Sequence, residues 1–214
     1  MDEFKSNMSL KKEAYPIIGA IIALYALVII LFALTPSEDL LSSTIRLCAL
    51  LAITSMFIST IMTPFMVQLY KYFGKPFIKI HHTFSITAIV LATAHPIAFS
   101  IQVANLAVFI PVLYPWYDFW LLAGRPALII IYIALIAVIL RKKTPKTWRP
   151  LHALNYIALF FGYIHGILIG TDFRNIGILI LFTIMVILAY LALIYKRYQT
   201  YQRNQKRKKR LENQ

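Results

Sequence analysis

Five histidines carry the strongest chemical signal in the chain: His81, His82, His95, His152 and His165. Each lies within or at the edge of a long apolar stretch. An ionisable side chain in hydrocarbon is costly, so its presence there marks a functional site. The spacing narrows the chemistry. His81 and His95 are separated by about 21 Å of helix and point within about 40° of one another. His152 and His165 are separated by about 19.5 Å. Two helices so built each offer one imidazole near one membrane face and one near the other. A haem iron takes an axial imidazole from either side, so this arrangement predicts two haems stacked across a membrane. His81 and His152 would hold the inner one, His95 and His165 the outer.

Two details of the ligand set need structure to absorb them. His82 also stands in the right register to His95, and helical phase favours His81 over it as inner ligand. The gap from His152 to His165 turns an ideal helix by about 220°. A kink, a π-bulge or different approach angles must bring the two rings into line. Zinc is a poor competitor, because it wants tetrahedral nitrogen or sulfur ligands clustered together. The single cysteine, Cys48, excludes an internal disulfide, a cysteine-only metal site and a C-x-x-C-H attachment. Any haem is therefore of the non-covalent b type.

The elements that must position these residues are membrane helices. Of 214 residues, 60% are hydrophobic and 14% charged, against about 45–50% and about 25% in soluble domains. That excludes a soluble enzyme, a disordered tail and a secreted disulfide scaffold. A bilayer core needs about 20 apolar residues in a helix. Six stretches qualify: Tyr15–Leu34, Thr44–Tyr70, Ile80–Val103, Gly124–Leu140, Pro150–Ile169 and Ile176–Tyr195. The expected fold is an all-α integral membrane protein, a six-helix transmembrane bundle. Residues 1–14 form an N-terminal segment, 15–195 the haem-binding domain and 196–214 a basic tail.

The net charge of +14 follows the spans. Nineteen of the 22 lysines and arginines fall in the N-terminus, the second and fourth connections and the tail. Arg46, Arg125 and Arg174 lie on the other side, beside Glu38, Asp39, Asp118 and Asp172. The positive-inside rule then makes both termini cytoplasmic, in the plasma membrane. The tail, with its run Lys206-Arg207-Lys208-Lys209-Arg210, is read as a topology determinant or a contact for anionic lipid, and no nucleic-acid partner is expected.

Other residues support the site. Arg149 before His152 and Arg125 on the outer side are candidates for pairing haem propionates, or serve topology alone. Gly162, Gly166 and Gly170 make either close helix packing or room for a flat porphyrin. Ser85, Thr87 and Thr93 either orient imidazoles or bond back to their own helix. Residues 104–123 carry Phe109, Tyr114, Trp116, Tyr117, Phe119 and Trp120, with Pro111 and Pro115 interrupting any helix. They are read as an interfacial aromatic belt that caps the outer side.

From Thr44 to Tyr195 the sequence resembles the ferric reductase-like transmembrane domain family. That family includes the membrane part of NADPH oxidases and ferric reductases, and the haem subunit of a bacterial methionine sulfoxide reductase. The segment Trp148-Arg149-Pro150-Leu151-His152-Ala153-Leu154-Asn155-Tyr156 leading to His165 is similar to its W-R-x-L-H-x-x-x-Y pattern. His81 with His95 resembles its other pair, and Gly124 before the fourth span is familiar too. The family often has His-Arg at His81-His82 and glycine at Ser85. Only 19 residues follow the sixth span, and no glycine-rich dinucleotide fingerprint occurs. The resemblance thus implies a stand-alone haem conduit that needs a separate donor.

The expected function is a di-haem b-type cytochrome passing electrons from a cytoplasmic donor to an outer acceptor, as the membrane subunit of an oxidoreductase. A cytoplasmic flavoprotein reductase or a quinol would supply the electrons. An outer-side acceptor or partner reductase would take them through the haem edge, since both axial positions are filled. No carboxylate pair, nucleophile triad or phosphate loop supports an independent catalytic site. The alternative is a haem-free transporter or anchor subunit with histidines in a proton path.

Overall fold

The computed structural model describes residues 11–35, 39–74 and 77–212. Lys5, Glu38 and Lys75 of the charge pattern lie outside the described residues. Among the described residues the chain is helical throughout, with short 3-10 turns and no strand. The α-helices are α1 (Ala14–Ala33), α2 (Leu40–Ile61), α3 (Met66–Phe73), α4 (Phe77–Gln102), α5 (Trp116–Leu121), α6 (Gly124–Ile139), α7 (Trp148–Ala153), α8 (Asn155–Ile169) and α9 (Ile176–Glu212).

Local sequence explains the boundaries. Asp39 caps α2, accepting the Ser42 backbone N–H at 2.7 Å and the Ser42 hydroxyl at 2.8 Å. Those bonds, the backbone one first, hold its carboxyl below the usual carboxylate range. Pro64 opens a 3-10 turn that leads α2 into α3. Gly74 then stops α3 at φ 58°, a left-handed geometry that glycine adopts without steric cost. Asn175 receives the Gly177 N–H at 2.9 Å where α9 begins.

Five helical stretches are long and apolar enough to cross a bilayer: Ala14–Ala33, Leu40–Phe73, Phe77–Gln102, Trp148–Ile169 and Ile176–Glu212. The sixth, α6, is only 16 residues, about 24 Å against a hydrocarbon core of about 30 Å. A turn at Leu122-Ala123 separates it from α5, and the charged turns from Arg141 onward end it. The sequence run counted as one span therefore folds shorter than its five companions.

The core lies where α1, α2, α8 and α9 meet, around Val28, Leu50, Phe57, Leu159, Ile178, Phe182 and Met185. Polar groups buried there are all partnered. Thr54 and Ser55 return their hydroxyls to Leu50 and Leu51 carbonyls at 2.8 and 2.7 Å, and Tyr25 reaches Ser55 at 2.8 Å. Tyr163 meets Thr183 at 2.6 Å, and Tyr190 donates to the Tyr156 carbonyl at 2.9 Å. Such bonds matter in an apolar surround, where an unpaired polar group costs several kcal/mol (about 2–7).

One ion pair clamps the end of the bundle opposite the α9 tail. Arg46 donates to both Asp172 carboxylate oxygens, at 2.6 and 3.0 Å, and to the Thr35 carbonyl at 2.9 Å. Its guanidinium also lies 5.1 Å from the Phe32 ring centre. It joins the start of α2 to the α1–α2 and α8–α9 connections. The side chains are 13% and 5% exposed, so a lone survivor would be stranded. Asp172→Ala is expected to cost about 3–5 kcal/mol, lowering the unfolding midpoint in detergent by about 10 °C. Arg46→Met with Asp172→Leu should recover most of that loss, because the double change leaves no buried charge.

Candidate functional site

A cavity of about 2360 Å³ runs along the bundle between α2, α4, α6 and α8 and continues under the extension of α9. Small-molecule pockets are roughly 300–1,000 Å³, so this space suits more than one ordinary ligand. All five histidines line it, as do Arg125 and Arg149. Across it α4 and α6 are bridged by Thr93 and Tyr132, whose hydroxyls are 2.8 Å apart.

The imidazoles come in two pairs. His81 on α4 faces His152 on α7 with ring centres 6.2 Å apart and planes at 74°. His95 on α4 faces His165 on α8 at 6.5 Å and 78°. Two rings bonded through nitrogen to one metal at about 2.0 Å, each nitrogen about 1.1 Å from its ring centre, sit about 6.3 Å apart. Both pairs have that separation. Among the described residues no group of three or more His, Cys, Asp or Glu forms a metal-ion cluster. Each couple offers two nitrogens, fewer than the four ligands of a tetrahedral zinc site.

Hydrogen bonds decide which ring nitrogen is offered. Nδ1 of His95 donates to the Ile45 carbonyl at 2.9 Å, and Nδ1 of His165 to the Leu121 carbonyl at 2.7 Å. Nδ1 of His81 donates to the Ser59 carbonyl at 3.1 Å. A carbonyl can only accept, so Nδ1 carries the proton and Nε2 keeps the lone pair a metal needs. For His152, Asn155 Nδ2 approaches Nδ1 at 3.4 Å.

The second helix is broken just after His152. α7 ends at Ala153 and α8 starts at Asn155, with Leu154 in a turn between them. The Leu154 N–H reaches the Leu151 carbonyl at 3.1 Å, and the Asn155 side chain takes the His152 carbonyl at 3.1 Å. On either side of this turn, His152 and His165 each face a histidine of α4. α4 itself runs unbroken from Phe77 to Gln102, through Pro96.

His82 is exposed and lies 6.2 Å from His81, on the cavity wall but not opposite His152. Arg125 donates to the Ile110 carbonyl at 2.8 Å, tying the cavity wall to the aromatic loop. Arg149 is exposed and lies 5.4 Å from the Trp148 ring centre. Within that loop Phe119 and Trp120 pack edge-on against Phe161 at 5.6 Å, and Val108 and Phe109 reach the cavity. Tyr114, Trp116 and Tyr117 stay exposed.

The hydroxyls and glycines divide between the two readings. Thr87 bonds only its own helix, at the Thr83 carbonyl. Ser85 joins the site, 3.3 Å from His81 Nε2 and 2.7 Å from Ser59 Oγ. Ser59 also sits 2.9 Å from His81 Nδ1. Its role was invisible in the sequence because it stands on a different helix. Gly162 has open space where a Cβ would go, and it faces the cavity. A Cβ on Gly166 would strike the Phe173 ring at 2.7 Å, and one on Gly124 would meet His165 Cδ2 at 2.8 Å.

Comparison with protein-family models, curated proteins and solved structures returns no match. The side-chain geometry therefore carries the functional argument. The glycine roles are separable by mutation. Gly162→Ala should raise the unfolding midpoint, gaining about 0.5–1 kcal/mol of helix propensity. Gly166→Ala should lower it, costing about 1–3 kcal/mol of stability through overpacking. Equal responses at both positions would contradict the division between open cavity and tight packing.

Proposed function

We propose that the chain is a di-haem b-type membrane cytochrome that passes electrons across the membrane, from a cytoplasmic donor to an acceptor on the outer side. The observation that carries this reading is the pair of facing imidazole couples, at 6.2 and 6.5 Å, on the wall of one large cavity. The apolar helices supply the setting. In this reading α6 is the fourth of six spans, reaching across with help from α5, and both termini are cytoplasmic. The tail end of the bundle is then the inner end, and the Arg46–Asp172 end the outer.

Bound haem would supply one-electron redox chemistry at each couple. The chain's own residues do the rest. His81 and His152 present nitrogen at the inner site, His95 and His165 at the outer. Carbonyls of Ser59, Ile45 and Leu121 fix the orientation and tautomer of the rings. Arg149 and Arg125 stand where propionates would need partners, and Gly162 leaves flat space along α8. The aromatic loop shields the outer end from water. The likeness of Trp148–Tyr156 and of the histidine spacings to the ferric reductase-like family supports the same reading. A flavoprotein reductase or a quinol would be the donor, and an outer acceptor or partner reductase would complete the pathway.

The purified chain should show a Soret band, sharp α-bands on reduction and about two haems b by pyridine haemochrome. His95→Ala or His165→Ala should remove the outer haem, and His81→Ala or His152→Ala the inner. His82→Ala should keep both. A colourless protein from haem-replete cells would overturn the proposal and favour a histidine proton path.

A further inference from the structure

We infer that the tail end of the cavity is a docking surface for the acidic face of a soluble protein, gripped by the basic face of the α9 extension together with Arg141 and Arg149. The surface rests on the cytoplasmic placement of the tail in the reading above.

The helical phase of α9 carries the argument. Its buried residues Ile178, Phe182, Met185, Ala189 and Ala192 define the face turned into the bundle. At about 100° per residue, Lys196, Thr200, Arg203, Arg207 and Arg210 continue that same face within about 40° either side. The side of the helix that packs against its neighbours therefore becomes cationic once it leaves them. It overhangs the mouth of the cavity instead of turning out toward lipid. All five of those residues line the cavity, as do Arg141 and Arg149. In all, eight lysine and arginine side chains line this end. The only carboxylate among the described lining residues is Asp172, which is bound to Arg46 at the opposite end.

Length distinguishes a soluble partner from a membrane surface. α9 is one continuous helix of 37 residues, about 55 Å, whereas a bilayer with its headgroups is about 40–45 Å thick. Arg207 and Arg210 stand about 16 and 21 Å along the axis from Lys196. That is well over a Debye length of about 8 Å, so headgroup charge at the level of Lys196 is screened from them. A helix lying in the interface needs an apolar stripe. After Lys196 the described residues offer only Tyr198, Tyr201 and Leu211. A row of cations over a concave mouth instead steers and orients a protein with complementary charge.

The test uses the full chain in nanodiscs of phosphatidylcholine and a flavodoxin, a small acidic soluble protein, as probe, with binding followed by thermophoresis. Wild type should bind at about 50 mM salt and weaken at least about tenfold at about 300 mM. Arg203→Glu with Arg207→Glu should weaken binding at least about tenfold, while Lys208→Glu with Lys209→Glu, the same charge change on the other side of the helix, should weaken it less than about threefold. Equal losses in the two variants, or no binding by wild type, would overturn the proposal. So would loss of wild-type binding when about a third of the lipid is phosphatidylglycerol, since the helix would then belong to headgroups. Binding needs no haem. A colourless chain that binds would sink only the cytochrome reading, and a haem-loaded chain that fails to bind would sink only the docking surface.

Discussion

The arrangement depends on one recurring interaction, an imidazole Nδ1–H donated to a backbone carbonyl of another element. His81 and His95 reach Ser59 and Ile45 on α2, and His165 reaches Leu121 at the end of α5. Each bond does two things. It offsets the desolvation cost of a polar ring among apolar helices, and it leaves Nε2 as the unprotonated nitrogen. α4 is thereby pinned to α2 at two heights, and α8 to the end of α5 at one. The two couples are held unequally. His81 sits between the hydroxyls of Ser59 and Ser85, whereas the His95–His165 couple is fixed by carbonyls alone.

Backbone geometry then sets where the second helix can meet the first. A continuous helix through His152 and His165 would turn one of them away from α4. The chain is broken at Leu154, where Asn155 takes the His152 carbonyl, and both rings face histidines of α4. Close packing fixes the other end. Gly124 leaves just enough room for the His165 ring, and Gly166 for Phe173. Small residues thus serve position in two places and leave free volume in a third, at Gly162.

Charge follows the same division between ends. At one, Arg46 and Asp172 neutralise each other while joining three parts of the chain. At the other, the wall carries cations without a matching carboxylate, because the packed face of α9 continues straight into the basic tail. The cavity thus has a closed ion pair at one end and, among its described lining residues, a cationic lip at the other.

Much of this was legible in the residue string. Apolar runs of membrane length, the alternation of basic connections, and four histidines at two matched depths are one-dimensional patterns, and helical rise converts them directly into height. Height along an axis needs no knowledge of neighbours. What the string left open was angular and lateral. It left the choice between His81 and His82, the reconciliation of His152 with His165, the partner role of Ser59, and the split among the three glycines. Each depends on contacts between segments far apart in sequence, or on a single turn whose energy is small beside the packing it permits. The shortness of α6 belongs there too, since its ends are set by a turn and a charged connection and not by its apolar content. The apolar helices and the height of each histidine along them were therefore determined by local chemistry, while facing, register and free volume were decided only when the helices packed.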